Sequence, residues 1–170
     1  QLPLELPPQP EGMDVEEAGL TFADNARLKA LAVAAASGAW ALADDSGLCV
    51  MALGGAPGVH SARYAATDPE RIARLLSELG DQEDRRAEFR AALCLADPCG
   101  QVLLEVECCC AGVITTAPRG DSGFGYDPIF EVEGSALTFA EMSPDRKRAV
   151  GHRGLAFALL QPELHKLLND

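Results

Sequence analysis

Two adjacent carboxylates, Asp44 and Asp45, stand directly after an apolar run at residues 40–43 that is typical of a buried strand. We expect the strand to end at these two residues, and open α/β sheets place their ligands at the carboxyl ends of strands. Paired acids at such an end suit a hard cation such as Mg²⁺, or a base that activates water. The alternative is a solvated turn, since Asp, Ser and Gly are common turn formers.

A second candidate segment, residues 120–128, interleaves glycines with two aromatic residues, Phe124 and Tyr126. Glycine permits unusual backbone angles, and an exposed aromatic ring can stack on a nucleobase. The alternative is a loop whose aromatic side chains close the hydrophobic core. The residue types alone leave both interpretations open.

A basic cluster occupies residues 146–153, which hold four of the 14 lysines and arginines of this acidic chain. Together with the paired carboxylates, the cluster indicates an anionic ligand that is bound with a metal ion. The alternative is a solvated charged face, which is the usual meaning of a charge run.

The composition limits the classes of function. The chain has 170 residues, 48% of them apolar, and a formal net charge of −12. That charge argues against a nucleic-acid polymer as partner, because phosphate backbones bind basic surfaces. The sequence has no apolar run of about 18 residues, so we expect no membrane partner or span. The six cysteines lack the spacing of a zinc site and are expected to be small buried hydrophobes in a reducing cytoplasm.

Periodicity and capping signals predict the elements that must position these groups. A helix is expected at Phe22–Ser37, begun by a capping box at Thr21 and ended by Gly38. On this helix Asn25 and Lys29 share one face, which is either solvated or functional. Short strands are expected at residues 2–6 and 129–132, and a hairpin is expected to pair Arg86–Ala96 with residues 101–116 around a turn at residues 97–100. Further helices are expected from Asp68 to Gly80, from Ser143, and at residues 152–168, where Pro162 kinks or restarts the last helix.

Four blocks of the sequence, taken together in this order, resemble the inosine triphosphate pyrophosphatase family. The blocks read TFADNARLKA from Thr21, ALADDSGLCVMALGGAPGVHSARYA from Ala41, GFGYDPIF from Gly123 and TFAEMSPDRKRAVGHRGLA from Thr138. The resemblance implies an α/β fold with a long, curved, mixed β-sheet flanked by helices, two lobes with an active-site cleft between them, and a homodimer. It also implies Mg²⁺ as the cofactor and cleavage of ITP, dITP or XTP to the nucleoside monophosphate and pyrophosphate.

The resemblance implies roles for individual residues as well. Asp45 matches the proton acceptor and metal ligand, and Ser46 matches a substrate contact. The remaining matches are Phe124, Gly125, Tyr126 and Asp127 for the base-binding loop, Lys147 for a phosphate, and His152 with Arg153 for reading the base. By their chemistry, Asp24 and Asp44 are further candidate Mg²⁺ ligands. A donor from Arg153 or a backbone N–H would pair with the 6-oxo group of hypoxanthine or xanthine, whereas the amino group of adenine would leave that donor unpaired.

The chain departs from the family pattern at three single positions and at its start. Asp24 stands where the family has glutamate, Gly151 replaces the usual serine before His-Arg, and Met51 replaces a common aspartate. The family's first strand and its Thr/Ser-x-Asn-x-x-Lys loop, which holds the triphosphate, have no counterpart in the sequence. We therefore expect residues 1–170 to form one nucleoside triphosphate pyrophosphatase domain that lacks this N-terminal strand and phosphate loop. Two alternatives stay open: a non-catalytic nucleotide-binding or regulatory protein of the same fold, and a pyrophosphatase for modified pyrimidine triphosphates.

Overall fold

A computed structural model describes residues 13–169, which form an α/β fold of four α-helices and a four-stranded sheet. The strand predicted at residues 2–6 lies outside the described residues. In chain order the helices and strands are α1 (Phe22–Ser37), β1 (Ala41–Val50), α2 (Asp68–Leu79), β2 (Arg86–Ala96), β3 (Val102–Ile114), β4 (Phe130–Val132), α3 (Pro144–Val150) and α4 (His152–Asn169).

The first two helices begin and end where their capping residues predict. The hydroxyl of Thr21 accepts a hydrogen bond from the backbone N–H of Asp24 at 3.1 Å, and Gly38 ends α1 in the left-handed conformation at φ 68°. Thr67 and Glu70 form a reciprocal capping box at the start of α2. Such caps satisfy backbone groups that a helix end leaves without partners. Both predicted helices are confirmed.

The two C-terminal helices are also confirmed in position. The hydroxyl of Ser143 accepts a hydrogen bond from the backbone N–H of Arg146 at 3.2 Å and so begins α3. Helix α4 runs from His152 as one helix through Pro162, so the restart considered for this proline does not occur. None of the described helices combines the length and the apolar character that crossing a membrane requires.

The four strands lie in the sheet in the order β1-β2-β3-β4. Strands β3 and β4 run antiparallel, with Ile114 opposite Phe130. The predicted hairpin of β2 and β3 is confirmed, and Asp97 holds its turn. The Asp97 carboxylate accepts hydrogen bonds from the backbone N–H groups of Cys99 at 2.9 Å and Gln101 at 3.0 Å.

Strand β1 differs from its prediction in where it ends. It runs from Ala41 to Val50, so Asp44 and Asp45 lie inside the strand, and the predicted strand end at these two residues is wrong. Residues 48–50 are apolar and buried. Their burial continues the strand beyond the two carboxylates, because removing apolar side chains from water stabilises the paired conformation.

The described residues divide into two compact units, and each has its own hydrophobic core. The first unit comprises residues 13–46, 91–108 and 155–169. Its core contains the following buried residues from β2 and α4: Ala91, Leu93, Ala156 and Leu160. The organisation as one domain stays a prediction.

The second unit comprises residues 47–90 and 109–154. Three phenylalanines form the centre of its core, with ring centroids 4.8–5.6 Å apart: Phe89, Phe130 and Phe139. Leucines 75 and 79 of α2 belong to the same core, as their helical spacing predicts.

The six cysteines are all thiols, but they do not share one environment. Cys49, Cys94 and Cys110 are buried as predicted, whereas Cys99 and Cys109 are exposed, and the prediction of burial is wrong for these two. Adjacent residues of a strand point to opposite faces, which places Cys109 and Cys110 in different surroundings. Burial raises the pKa of the Cys94 thiol to about 11, as expected for a cysteine that packs as a hydrophobe.

Candidate active site

In the first unit, polar side chains gather around Asp45, and we call Glu17, Asn25, Lys29 and Asp45 the carboxylate set. The Nζ of Lys29 donates a hydrogen bond to Oδ1 of Asp45 at 2.9 Å and forms an ion pair with Glu17 at 3.0 Å. Asn25 is fully buried, and its Oδ1 accepts a hydrogen bond from the backbone N–H of Gly19 at 2.8 Å. The face of α1 that carries Asn25 and Lys29 is therefore not a solvated face.

Two buried polar atoms of the carboxylate set, Oδ2 of Asp45 and Nδ2 of Asn25, have no hydrogen-bond partner among the described residues. Asp45 is only 7% exposed. A buried polar group without a partner costs about 1–3 kcal/mol, so such atoms mark places where a ligand, an ion or a water molecule completes a site. Asp45 thus offers one carboxylate oxygen to a ligand while Lys29 holds the other.

The environment of Asp45 changes its acidity. Burial raises the pKa of Asp45. The contacts with Lys29 and with the nearby Asn25 amide lower this pKa but do not cancel the effect of burial, and the negative charge of Glu17 raises it further. Burial lowers the pKa of Lys29, but its contacts with Asp45 and Glu17 outweigh burial, so its pKa is raised and the ammonium stays charged. A carboxylate with a raised pKa is a stronger base than a solvated one, which suits it to accept a proton from water.

The other two predicted metal ligands make different contacts. The carboxylate of Asp44 accepts a hydrogen bond from the hydroxyl of Ser46 at 3.0 Å. Asp24 lies in the first turn of α1, where its side chain is 43% exposed and 3.5 Å from Arg27. Within residues 13–169, no three His, Cys, Asp or Glu residues lie close enough together to hold a metal ion. A metal ion at Asp45 would need further oxygen ligands from a substrate or from water.

In the second unit, a different group of side chains forms around an exposed ring, and we call Phe124, Asp127, Lys147 and Arg153 the aromatic–basic set. Phe124 is 61% exposed. The Nζ of Lys147 lies 4.7 Å from the ring centroid, and the Cζ of Arg153 lies 5.5 Å from it. Lys147 also donates a hydrogen bond to Oδ2 of Asp127. An exposed ring beside two cations is suited to a flat aromatic ligand that carries negative charge.

The loop that carries Phe124 is anchored by two residues that the sequence patterns did not single out. The backbone N–H of Gly125 donates a hydrogen bond to Oδ2 of Asp68 at 2.7 Å, and the hydroxyl of Tyr126 donates one to the carbonyl of Ser61 at 2.7 Å. Tyr126 is 4% exposed. The core-closing interpretation is therefore correct for Tyr126 and wrong for Phe124. The sequence marked Asp68 only as the start of α2.

His152 lies at the start of α4 with its ring buried in the core of the second unit. The ring stacks on Phe89 with a centroid distance of 4.7 Å and an interplanar angle of 8°, and its centroid lies 6.1 Å from that of Phe139. This packing fixes the first residue of α4 and with it the neighbouring Arg153. The predicted contact of His152 with a base stays a prediction.

Known proteins resemble this chain over most of its length. The profile of the Ham1 family matches residues 2–163. A protein of Synechococcus sp. (strain CC9311) named dITP/XTP pyrophosphatase is 66% identical over 100% of this chain and 82% of its own length. A protein of the same name from Parasynechococcus marenigrum (strain WH8102) is 66% identical over 99% of this chain and 86% of its own length. The solved structure of the Staphylococcus aureus Ham1 protein is 42% identical with a TM-score of 0.86, over 91% of this chain and 82% of its own.

Proposed function

Because this chain belongs to the Ham1 family, we propose that it hydrolyses nonstandard purine nucleoside triphosphates to the nucleoside monophosphate and pyrophosphate. The proposed substrates are ITP, dITP and XTP, and the reaction removes them from the nucleotide pool. Relatives named dITP/XTP pyrophosphatase support this substrate class. The membership also confirms the family resemblance that the four sequence blocks indicated.

The observation that carries the proposal is the buried carboxylate of Asp45, which has one oxygen on Lys29 and the other without a partner among residues 13–169. In the proposed reaction Asp45 accepts a proton from the attacking water. The water oxygen bonds to the α-phosphorus, the bond from that phosphorus to the α–β bridging oxygen breaks, and pyrophosphate leaves. Lys29 keeps the Asp45 carboxylate in one orientation.

We propose Mg²⁺ as the cofactor, with Asp45 as its principal protein ligand and Asp24 and Asp44 as further candidates. The donors fit this ion, because Mg²⁺ prefers oxygen ligands and is commonly held by one or two carboxylates together with substrate phosphates and water. The buried Oδ2 of Asp45 is such an oxygen and has no protein partner among the described residues. When bound, the ion supplies positive charge that stabilises the phosphate oxygens during the reaction.

We propose that the aromatic–basic set recognises the base and the phosphates. Phe124 stacks on the purine, and Lys147 binds the phosphates of the triphosphate. Arg153 donates a hydrogen bond to the 6-oxo group, which adenine lacks, so adenine nucleotides are poor substrates. The other proposed substrate-binding residues are Ser46, Gly125, Tyr126, Asp127 and His152.

We further propose that the protein is a homodimer in the cytoplasm. The family resemblance supports the homodimer. Six cysteines that remain thiols support a reducing compartment. Light scattering coupled to size exclusion measures the oligomeric state directly, and a mass of one chain would contradict the homodimer.

A substrate panel tests the proposed function. The chain is incubated with ITP, dITP, XTP, ATP and a modified pyrimidine triphosphate, with and without Mg²⁺, and pyrophosphate and orthophosphate are measured separately. We expect Mg²⁺-dependent pyrophosphate release that is fastest with the 6-oxopurine nucleotides. Orthophosphate as the main product, or equal rates with ATP and ITP, would contradict the proposal. Binding without turnover would favour the non-catalytic alternative.

A further inference from the structure

The carboxylate of Asp68 is held at both of its oxygens. Its Oδ2 accepts a hydrogen bond from the backbone N–H of Gly125 at 2.7 Å, and its Oδ1 accepts one from Nη1 of Arg71 at 2.5 Å. Arg71 is itself anchored, because its Nε donates a hydrogen bond to the carbonyl of Ala65 at 3.0 Å. A continuous series of contacts therefore runs from the backbone at Ala65, through two charged side chains, to the backbone at Gly125. Hydrogen bonds that involve ionised groups are stronger than neutral ones.

Residues outside the loop at 123–127 hold it through the side chains of Tyr126 and Asp127, and Asp68 holds its backbone at Gly125. The backbone N–H of Phe124 donates to Oδ2 of Asp127 at 3.0 Å, and the N–H of Asp127 donates to the carbonyl of Phe124 at 3.2 Å. Both of these bonds stay within the loop. The N–H of Gly125 donates instead to Asp68 of α2, 57 positions earlier in the chain. Gly125 has a φ of 60°, a conformation that costs glycine little but gives the chain freedom to leave it.

We propose that Asp68 is a positioning residue that keeps the exposed ring of Phe124 in the place where it receives a base. The N–H that Asp68 holds belongs to the peptide bond joining Phe124 to Gly125, so the contact restrains the backbone directly behind the ring. Without it, the loop spends part of its time in conformations that do not bind. The apparent affinity for the nucleotide then falls in proportion to the fraction of molecules whose loop is in the binding conformation, while the proton transfer at Asp45 is unchanged. The inference rests on the proposed function, which takes this loop as the base-binding segment.

Two variants of Asp68 and one matched control test the proposal. Asp68→Ala removes the acceptor, and Asp68→Asn keeps an oxygen that can accept the Gly125 N–H but removes the charge. Asp145→Ala is the control, since Asp145 also lies in the first turn of a helix and pairs with an arginine three positions on, Arg148, at 3.1 Å. Amide hydrogen exchange of residues 120–128 is measured without ligand, and KM and kcat are measured with ITP and Mg²⁺.

We expect Asp68→Ala to exchange faster at residues 123–127 and to raise KM for ITP about tenfold, the usual size of a lost hydrogen bond to a charged group. The same variant should keep kcat within about twofold, because an effect on KM alone marks lost binding rather than lost chemistry. Asp68→Asn should lie between Asp68→Ala and the wild type in both measurements. Asp145→Ala should change neither.

Unchanged exchange at residues 123–127 in both Asp68 variants would overturn the proposal, and so would a fall in kcat at constant KM. Asp68→Asn, which retains an acceptor, decides the question if Asp68→Ala does not fold. The exchange measurement does not use the reaction. A wild-type chain that hydrolyses no ITP would thus refute the proposed function, while the exchange result would still decide whether Asp68 holds the loop.

Discussion

The carboxylate set and the aromatic–basic set differ in how the fold holds them. Asp45 and Lys29 lie on a strand and a helix, and Asp45 is 7% exposed. Phe124 lies on a loop between regular elements and is 61% exposed. The loop backbone is secured by individual contacts such as the one from Gly125 to Asp68. Groups that do chemistry need fixed geometry, and binding residues often lie on loops that a rigid scaffold holds in position.

This difference leads to separate expectations for the two sets. Changes in the carboxylate set should affect the rate of the chemical step. Changes in the aromatic–basic set should affect binding and the choice of base. Steady-state constants separate the two effects, because loss of an interaction that is equal in ground state and transition state raises KM and leaves kcat unchanged.

Asp45→Asn should have the strongest effect, a fall in kcat of about 10²–10⁴, since that is the usual contribution of a general base. The fold should be retained, because asparagine has nearly the same shape and removes a buried charge. Pyrophosphate release and thermal unfolding measure the two properties. Glu105→Gln is the control, since Glu105 is an exposed acid of the same unit paired with Arg27. A near-normal kcat in Asp45→Asn would show that Asp45 has a structural role and is not the general base.

Lys147→Ala should weaken the binding of every triphosphate alike, with KM about tenfold higher for both ITP and ATP, because it removes a charged donor that does not read the base. The neighbouring cation Arg148, whose side chain is 72% exposed, provides the control variant Arg148→Ala. The expectation fails if KM in Lys147→Ala matches that of the control, or if the effect is confined to one nucleotide.

Arg153→Ala should have a smaller and more selective effect. We expect the ratio of kcat/KM for ITP to that for ATP to fall about fivefold, which corresponds to the roughly 1 kcal/mol of one hydrogen bond. Steady-state constants for both nucleotides measure the ratio. An equal fall in kcat/KM with ITP and ATP would show that Arg153 does not recognise the base. It would also contradict the proposed difference in role between Arg153 and Lys147.

Local signals in the sequence predicted most of the elements correctly. Helix α1 ends at Gly38, which adopts the left-handed conformation that favours glycine. Helix α2 begins with a capping box at Thr67. These features depend on residues a few positions apart, so they can be recognised without tertiary information. The predicted strand end at Asp44 and Asp45 is wrong because the Asp-Asp-Ser-Gly residue types are typical of a turn. The burial of residues 48–50 instead continues the strand through this segment.

The contacts that position the candidate site could not be predicted in the same way. Asp68 and Gly125 are 57 positions apart in the chain, and no local sequence pattern predicts the hydrogen bond between them. His152 was noted within a basic run, yet its ring is buried against Phe89, because the aromatic core of the second unit receives it. The motif marks Asp45, but its pairing with Lys29 joins side chains of β1 and α1 that no local pattern links.

Hydrolysis of ITP in water enriched with ¹⁸O tests the central claim most directly. The account requires water, activated at Asp45, to attack the α-phosphorus and to release pyrophosphate. Mass spectrometry of the two products should therefore find one ¹⁸O atom in the inosine monophosphate and none in the pyrophosphate. Label in the pyrophosphate, or in released orthophosphate, would place the attack at another phosphorus and contradict the account.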